Sequence, residues 1–177
     1  MLRKMRADEF DAVYALIERS FPKDEFRSYS EQSALLDDPK FVLYVLPSET
    51  GGIVAFASVY EFDEFCFIEH LAVAPDRRDR GVGSAVLKEL FAAYGKPICL
   101  EAELPDTEIA ARRIEFYRRN GFYTNARDYT QPPLSADKNP VPIVLLTYYG
   151  AVSDAKFDRI VETIYKYVYK VGTETKP

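Results

Sequence analysis

The stretch FCFIEHLAVAPDRRDRGVGSAVLKEL, residues 65–90, contains the most informative pattern in the sequence. Its first part, residues 65–73, is rich in aromatic and β-branched residues, a composition typical of a β-strand. Pro75 ends this strand because proline has no N–H to donate to a strand ladder. Apolar residues then recur every four positions from 82 to 90, which predicts a helix after Ser84. The order is therefore strand, loop and helix.

The loop between the strand and the helix is basic and contains two glycines. Arg77, Arg78 and Arg80 lie within four positions, and Gly81 and Gly83 follow them. A helix N-terminus presents unpaired N–H groups and a partial positive charge, and glycine lets a phosphate approach the backbone closely. Guanidinium groups add charge and paired donors. These features predict a phosphate or pyrophosphate site.

Two common phosphate-binding motifs do not fit this loop. The dinucleotide motif G-x-G-x-x-G needs a third glycine where this chain has Val86, and the Gly-Lys-Ser/Thr ending of a P-loop is absent. The motif present is R-x-x-G-x-G, from Arg78 to Gly83, after a strand that ends Leu-Ala-Val-x-Pro. It resembles the acyl-CoA-binding motif of the GNAT superfamily of N-acetyltransferases.

This resemblance implies that acetyl-CoA is the acyl donor. In the family, the loop amides bind the CoA pyrophosphate and the preceding strand pairs with the pantetheine arm. The cofactor-binding residues implied here are Leu71, Ala72, Val73, Arg78, Asp79, Arg80, Gly81, Val82, Gly83 and Ser84. The alternative interpretation is a solvated basic turn with a glycine at the helix N-cap.

A second motif, F-Y-x-x-x-G-F from Phe116 to Phe122, resembles the GNAT helix that supplies the catalytic tyrosine. It implies Tyr117 as the general acid, although a core aromatic residue is the alternative. Ala110 stands where many members have an asparagine that helps to hold CoA, and Arg113 stands where many have a small residue. Because Arg113 shares a helix face with Tyr117, we expect it to take over a cofactor contact.

Acetyl transfer to an amine also needs a base that removes a proton from the ammonium form. The family often places an acidic residue or a histidine on the 65–73 strand, and Glu69 is the first choice, with His70 or water as the alternative. Strand alternation puts Glu69 and His70 on opposite faces, although a bulge would bring either one round. A structural ion pair with an arginine is the non-catalytic interpretation of Glu69. A backbone N–H of residues 69–73 is the implied oxyanion donor.

Two other carboxylates, Glu101 and Glu103, share one face of the next predicted strand, residues 98–103. They line an acidic acceptor pocket in one interpretation. In the other they are solvated or paired with Arg112 and Arg113.

The composition limits the function further. The chain has 177 residues, 47% hydrophobic residues and a net charge of −5, so we expect neither nucleic acid nor an anionic membrane as a partner. The single histidine excludes a multi-histidine metal site, and we expect no metal. Cys66 and Cys99 are interpreted as reduced core residues, because their spacing matches no redox or metal motif. With no signal peptide and no apolar run near 20 residues, a cytoplasmic protein is expected.

The pattern along the chain predicts an α/β fold with a mixed sheet. The strands at 41–46, 53–62 and 65–73 are predicted to form an antiparallel meander. The strand at 98–103 follows a crossover helix and is predicted to run parallel to 65–73. The resemblance implies a GNAT-like, predominantly antiparallel sheet with a central parallel pair flanked by helices. Residues 126–142 are predicted to be a long loop.

We expect residues 1–150 to form the GNAT-like domain. Residues 151–177 are predicted to add a C-terminal helix from Asp154 that packs on the same domain, with a homodimer contact as its alternative role. The expected function is acetyl-CoA-dependent transfer to a primary amine of a small molecule or peptide, in a ternary complex. A non-catalytic acyl-CoA sensor is the alternative. The connector at residues 21–30 is a candidate substrate loop.

Overall fold

The computed structural model describes residues 1–49 and 51–171, which form two compact units divided between Cys99 and Leu100. The first unit contains β1 (Arg3–Lys4), α1 (Phe10–Ser20), α2 (Tyr29–Ala34), β2 (Phe41–Pro47), β3 (Ile53–Glu61), β4 (Cys66–Val73) and α3 (Val82–Tyr94). Strand β5 (Ile98–Glu103) begins in the first unit and ends in the second. The second unit continues with α4 (Glu108–Arg119), β6 (Phe122–Thr124), β7 (Tyr129–Gln131), β8 (Val141–Tyr148) and α5 (Asp154–Tyr167).

The sheet of the first unit follows the order β1, β2, β3, β4, and each of these pairs is antiparallel. The predicted meander of three strands is therefore confirmed. The Cys66 N–H donates to the Pro97 carbonyl at 2.8 Å, where β5 starts beside β4. Strands β4 and β5 form the predicted parallel pair, joined by the crossover helix α3.

Helix α1 has one apolar face, which is buried against the rest of the first unit. Its buried residues are Phe10, Val13, Tyr14, Leu16 and Ile17. The helix ends at Phe21, whose backbone is extended. The next helix, α2, is capped by Ser28, whose hydroxyl accepts from the Glu31 N–H. The connector between the two helices therefore spans residues 21–28 and includes a short 3-10 turn at Lys23–Glu25.

In the second unit the strand order is β5, β8, β6, and β7 also pairs with β8. Strand β7 lies inside the segment that the sequence predicts to be a loop, so the prediction of a continuous loop is wrong at Tyr129–Gln131. Helix α5 packs on β7 within this unit. The Tyr165 hydroxyl donates to the Thr130 carbonyl at 2.5 Å, and the rings of Phe157 and Tyr129 lie 6.3 Å apart.

The mixed α/β fold expected from the sequence is confirmed, with mainly antiparallel pairing and one parallel pair. The proposed boundary at residue 150 stays a prediction, and residues 172–177 of the C-terminal segment lie outside the described residues. No helix within residues 1–49 and 51–171 is both long enough and apolar enough to span a membrane.

Candidate active site

The loop between β4 and α3 brings the predicted phosphate-binding residues into one continuous turn. After Val73 the chain makes a 3-10 turn at Pro75–Arg77 and enters α3 through two left-handed residues, Asp79 (φ 59°) and Gly81 (φ 75°). Glycine suits this conformation because it has no Cβ to clash with the backbone. The left-handed Gly81 is the N-cap, so α3 starts at Val82, three residues earlier than the apolar pattern predicts.

The first turn of α3 offers backbone amides to an anion. The first hydrogen bond of the helix runs from the Ala85 N–H to the Gly81 carbonyl, at 3.0 Å. The N–H groups of residues 82–84 therefore precede the helical ladder. Gly83 places no side chain beside them, and the helix dipole adds partial positive charge. A phosphate or pyrophosphate matches these donors.

The three arginines of the loop have different surroundings. The Arg78 Nε donates to the Val73 carbonyl at 3.1 Å, which ties the loop back to the end of β4. The Arg77 Nε lies 3.1 Å from the Asp76 carboxylate. Arg80 is exposed. Arg78 therefore shapes the loop as well as contributing charge.

The strand residues predicted to lie along the pantetheine arm sit at the end of β4. Residues 71–73 pair with Ala57, Phe56 and Ala55 of β3, in that order. Ala72 is buried, whereas Leu71 and Val73 are partly exposed. One edge of β4 is thus occupied by β3, and a pantetheine arm would have to pair with the opposite edge.

A β-bulge in β4 determines the position of Glu69. Ser58 of β3 lies opposite His70, and the next residue, Val59, lies opposite Ile68, so Glu69 has no partner. Such an extra residue breaks the alternation of side chains. As a result, the Glu69 Oε2 lies 3.5 Å from the His70 Nδ1, although strict alternation predicts opposite faces for these two side chains.

Glu69 is buried in an ion pair with Arg27 of the connector. Its Oε1 accepts from the Arg27 Nη1 at 2.5 Å, and the two side chains are only 4% and 6% exposed. Burial by itself raises the pKa of this carboxyl, but the charge of Arg27 outweighs burial and holds the pKa well below its usual range. Glu69 is therefore ionised near neutral pH.

His70 is equally buried and is held at both ring nitrogens. Its Nε2 lies 2.8 Å from the Glu25 carbonyl, which can only accept, so Nε2 carries the proton. The Nδ1 then accepts from the Ser58 hydroxyl at 3.2 Å, and the ring packs edge-on against Phe21. These contacts favour a structural role for His70 and leave Glu69 as the better candidate base.

Tyr117 lies on α4 in the second unit, and both ends of this helix have typical capping residues. The Thr107 hydroxyl caps it by accepting from the Ala110 N–H at 3.1 Å, and Gly121 follows it with φ 90°. Tyr117 is 6% exposed. Burial raises its pKa to about 12, against the opposing charge of Arg113. The phenol therefore keeps its proton at physiological pH.

The carboxylates of β5 are already bound to neighbouring side chains. Glu103 accepts from Arg113 at 2.5 Å, so the predicted pairing exists and Arg113 has a partner within its own unit. Glu101 accepts from the hydroxyls of Tyr129 and Tyr169. This favours a structural role for Glu101, which holds β7 and the end of α5.

Arg27, Ser58 and the Glu25 carbonyl are site components that sequence reasoning does not single out. Arg27 falls inside the connector chosen as a substrate loop, but nothing in its spacing links it to Glu69. Among the described residues, no group of three or more His, Cys, Asp or Glu side chains is arranged to hold a metal ion. Burial raises the pKa of the Cys66 thiol to about 12, which disfavours a cysteine nucleophile.

Comparison with known proteins adds independent support for the fold. Residues 39–124 match the model of the acetyltransferase (GNAT) domain family. The chain is 28% identical over 162 residues to mycothiol acetyltransferase from Nocardia farcinica, covering 89% of this chain and 54% of that protein. The chain spans about half the length of the curated relatives it matches.

Solved structures with the same fold are also found. One is described as a GNAT-family acetyltransferase from Bacteroides thetaiotaomicron, with a TM-score of 0.85 and 28% identity, over 97% of this chain and 99% of that one. Another, an aminoglycoside 6'-N-acetyltransferase complexed with coenzyme A, has a TM-score of 0.60 and 14% identity, over 83% of this chain and 95% of that one. At this identity the second likeness concerns the fold alone.

Proposed function

We propose that the chain transfers an acetyl group from acetyl-CoA to a primary amine, because residues 39–124 match the model of the acetyltransferase (GNAT) domain family. The observation that carries this proposal is the junction of β4 and α3. There, the amides of residues 82–84 and the nearby arginines present a site for the CoA pyrophosphate. The strand that would pair with the pantetheine arm leads directly into this site.

The proposed transfer is direct and takes place in a ternary complex. The amine nitrogen attacks the thioester carbonyl carbon, the carbon–sulfur bond breaks, and the products are an acetylated amine and free CoA. The family resemblance assigns a backbone N–H of residues 69–73 to the developing oxyanion. A buried Cys66 with a raised pKa gives no support to a covalent acetyl-enzyme.

Two side chains are proposed to move protons in this step. Glu69 takes the proton from the amine, directly or through a water molecule, because it is the buried and ionised carboxylate of the β4 bulge. Tyr117 donates to the departing thiolate, because its phenol keeps its proton at neutral pH. Both groups are regenerated by exchange with solvent.

The proposed acceptor is a small molecule or a peptide with a primary amine. Mycothiol acetyltransferase is only 28% identical to this chain, so its name suggests a reaction class and not one substrate. The negative net charge of the chain is compatible with a cationic acceptor.

The test is an acceptor screen with acetyl-CoA, with free thiol as the readout. Polyamines, aminoglycosides, aminosugars and peptides with free N-termini are offered one at a time, and mass spectrometry confirms acetylation of the acceptor. Thiol release that depends on one amine class supports an enzyme. Acetyl-CoA binding without thiol release on any amine would instead indicate a sensor, and no binding at all would refute both.

A further inference from the structure

The buried ion pair between Arg27 and Glu69 needs a functional explanation. Its two side chains are 6% and 4% exposed, so both charges have left water almost completely. Buried ion pairs contribute little net stability compared with apolar residues of similar shape, because desolvation offsets their attraction. Burying Arg27 therefore costs desolvation free energy, and packing alone does not explain why it is buried.

The connector holds Arg27 in a fixed place over the β4 bulge. The Tyr14 hydroxyl of α1 donates to the Arg27 carbonyl at 3.1 Å. Two residues earlier, the Glu25 carbonyl accepts from His70, and the ring of Phe21 packs against the same imidazole. The guanidinium thus reaches Glu69 from a backbone that is anchored on both α1 and β4.

The two oxygens of Glu69 have different surroundings. Oε1 is bound by Arg27, whereas Oε2 is buried and finds no hydrogen-bond donor among the described residues. Its neighbour, the His70 Nδ1 at 3.5 Å, has its lone pair directed to the Ser58 hydroxyl. A buried carboxylate oxygen without a donor is unfavourable, so Oε2 is suited to receive an N–H or O–H from a bound molecule.

We propose that Arg27 is a positioning residue for the transfer reaction. It binds Oε1 of the ionised Glu69 carboxylate, so that Oε2 faces the acceptor amine or its bridging water. This inference rests on the proposed function, since it requires an amine acceptor. It adds a role for the connector, because Arg27 within residues 21–28 then determines the ionisation state of the base.

The test is the Arg27→Met variant, which removes the charge but keeps much of the side-chain length. The charged and titratable groups that face Glu69 are Arg27 from the connector, His70 from β4 and Tyr60 from β3. Without the guanidinium, burial dominates and Glu69 protonates at higher pH. We expect carbon-13 NMR of labelled glutamate carboxyls to show this rise. We also expect kcat/KM for the amine to acquire an acidic limb between about pH 5 and 8.

Two further variants serve as controls. Arg19→Met removes an exposed arginine of α1 and is expected to leave the NMR titration and the pH profile unchanged. Arg27→Lys keeps the charge but loses the planar fork, so we expect kcat to fall on the order of 10-fold without a new acidic limb. If Arg27→Met does not fold, Arg27→Lys still tests the positioning role of Arg27.

Several outcomes would overturn the inference. A folded Arg27→Met protein with an unchanged Glu69 titration would show that Arg27 does not control this carboxylate. Wild-type kcat in both Arg27 variants would show that the pair has only a structural role. If no amine is acetylated at all, the proposed function fails, but the NMR titration still decides whether Arg27 keeps Glu69 ionised.

Discussion

The hydroxyl of Tyr117 is a single group on which the proposed chemistry depends. In Tyr117→Phe the ring stays in its buried place, so we expect acetyl-CoA affinity and melting temperature to change little. Loss of the proton donor should lower kcat by roughly 10²–10⁴-fold. Stopped-flow measurement of the acetyl-transfer step checks this, with Tyr123→Phe on an exposed tyrosine as the matched control. Unchanged chemistry in Tyr117→Phe would remove the residue from the mechanism.

At the residue scale, the sequence identifies Glu69 but not its surroundings. The resemblance points to an acidic residue on this strand, and an arginine partner is among the alternatives. The identity of that partner depends on how the connector folds over β4, and Arg27 is 42 positions away from Glu69 in the chain. Contacts at such a separation leave no periodic signal in a single sequence.

At the scale of elements, the start of α3 is where cofactor binding is tested most simply. Gly83→Leu is expected to place a side chain where the phosphate approaches, and to weaken acetyl-CoA binding at least 10-fold by blocking the donors of the first turn. The backbone should tolerate this change, because Gly83 is not among the residues with positive φ.

Calorimetry on the folded Gly83→Leu protein checks this prediction. Ala85→Leu adds the same side chain at an exposed position of the same helix and is the control. Equal affinities in the wild type and Gly83→Leu would contradict the assignment of this loop to the cofactor.

The end of α4 gives a stability prediction of a different kind. Gly121 has φ 90°, and a Cβ added there would lie 2.8 Å from Cε2 of the Tyr148 ring. Gly121→Ala is therefore both strained and overpacked, and we expect it to lower the free energy of unfolding by about 2–4 kcal/mol. Urea denaturation measures this loss. Gly95 has φ 59°, and a Cβ added there would meet no atom within 4 Å. Gly95→Ala therefore tests backbone strain without overpacking and should lower the free energy of unfolding clearly less.

Most elements follow from local sequence signals, and the exceptions have physical reasons. The 98–103 strand agrees with the sequence prediction because its signals act locally. Strand β7 is missed because it is only three residues long and lies in a proline-rich segment. Its position depends on pairing with β8, and such pairing is set by tertiary contacts more than by β-propensity.

At the scale of the whole molecule, two buried or half-buried carboxylates make the fold sensitive to acid. A hydrogen bond from Arg3 lowers the pKa of Glu9 to about 2. The charge of Arg27 lowers the pKa of Glu69, against the opposite effect of burial. Groups whose pKa is lowered by folding stabilise the protein above their unfolded pKa, which is about 4.5 here. That stability is lost as the pH falls from about 4.5 towards 2.

Melting temperatures measured by circular dichroism between about pH 7 and 3 test this expectation. The wild type should lose stability steeply below about pH 4.5, and the slope should be shallower in Glu9→Gln and Glu69→Gln. Glu64→Gln, at an exposed position, is the control and should behave as the wild type. Identical slopes in all four proteins would show that neither ion pair governs acid unfolding.

The bulge in β4 makes the site depend on the number of residues in the strand. An in-frame deletion of the codon for Ile68 would leave Glu69, His70 and Arg27 in the gene, yet it would shorten β4 by one residue, so that Glu69 would take the place opposite Val59 and the bulge would be lost. Glu69 and His70 would then point to opposite faces, as the uninterrupted pattern requires. Such a protein would keep every side chain assigned to the site, although their arrangement would be gone.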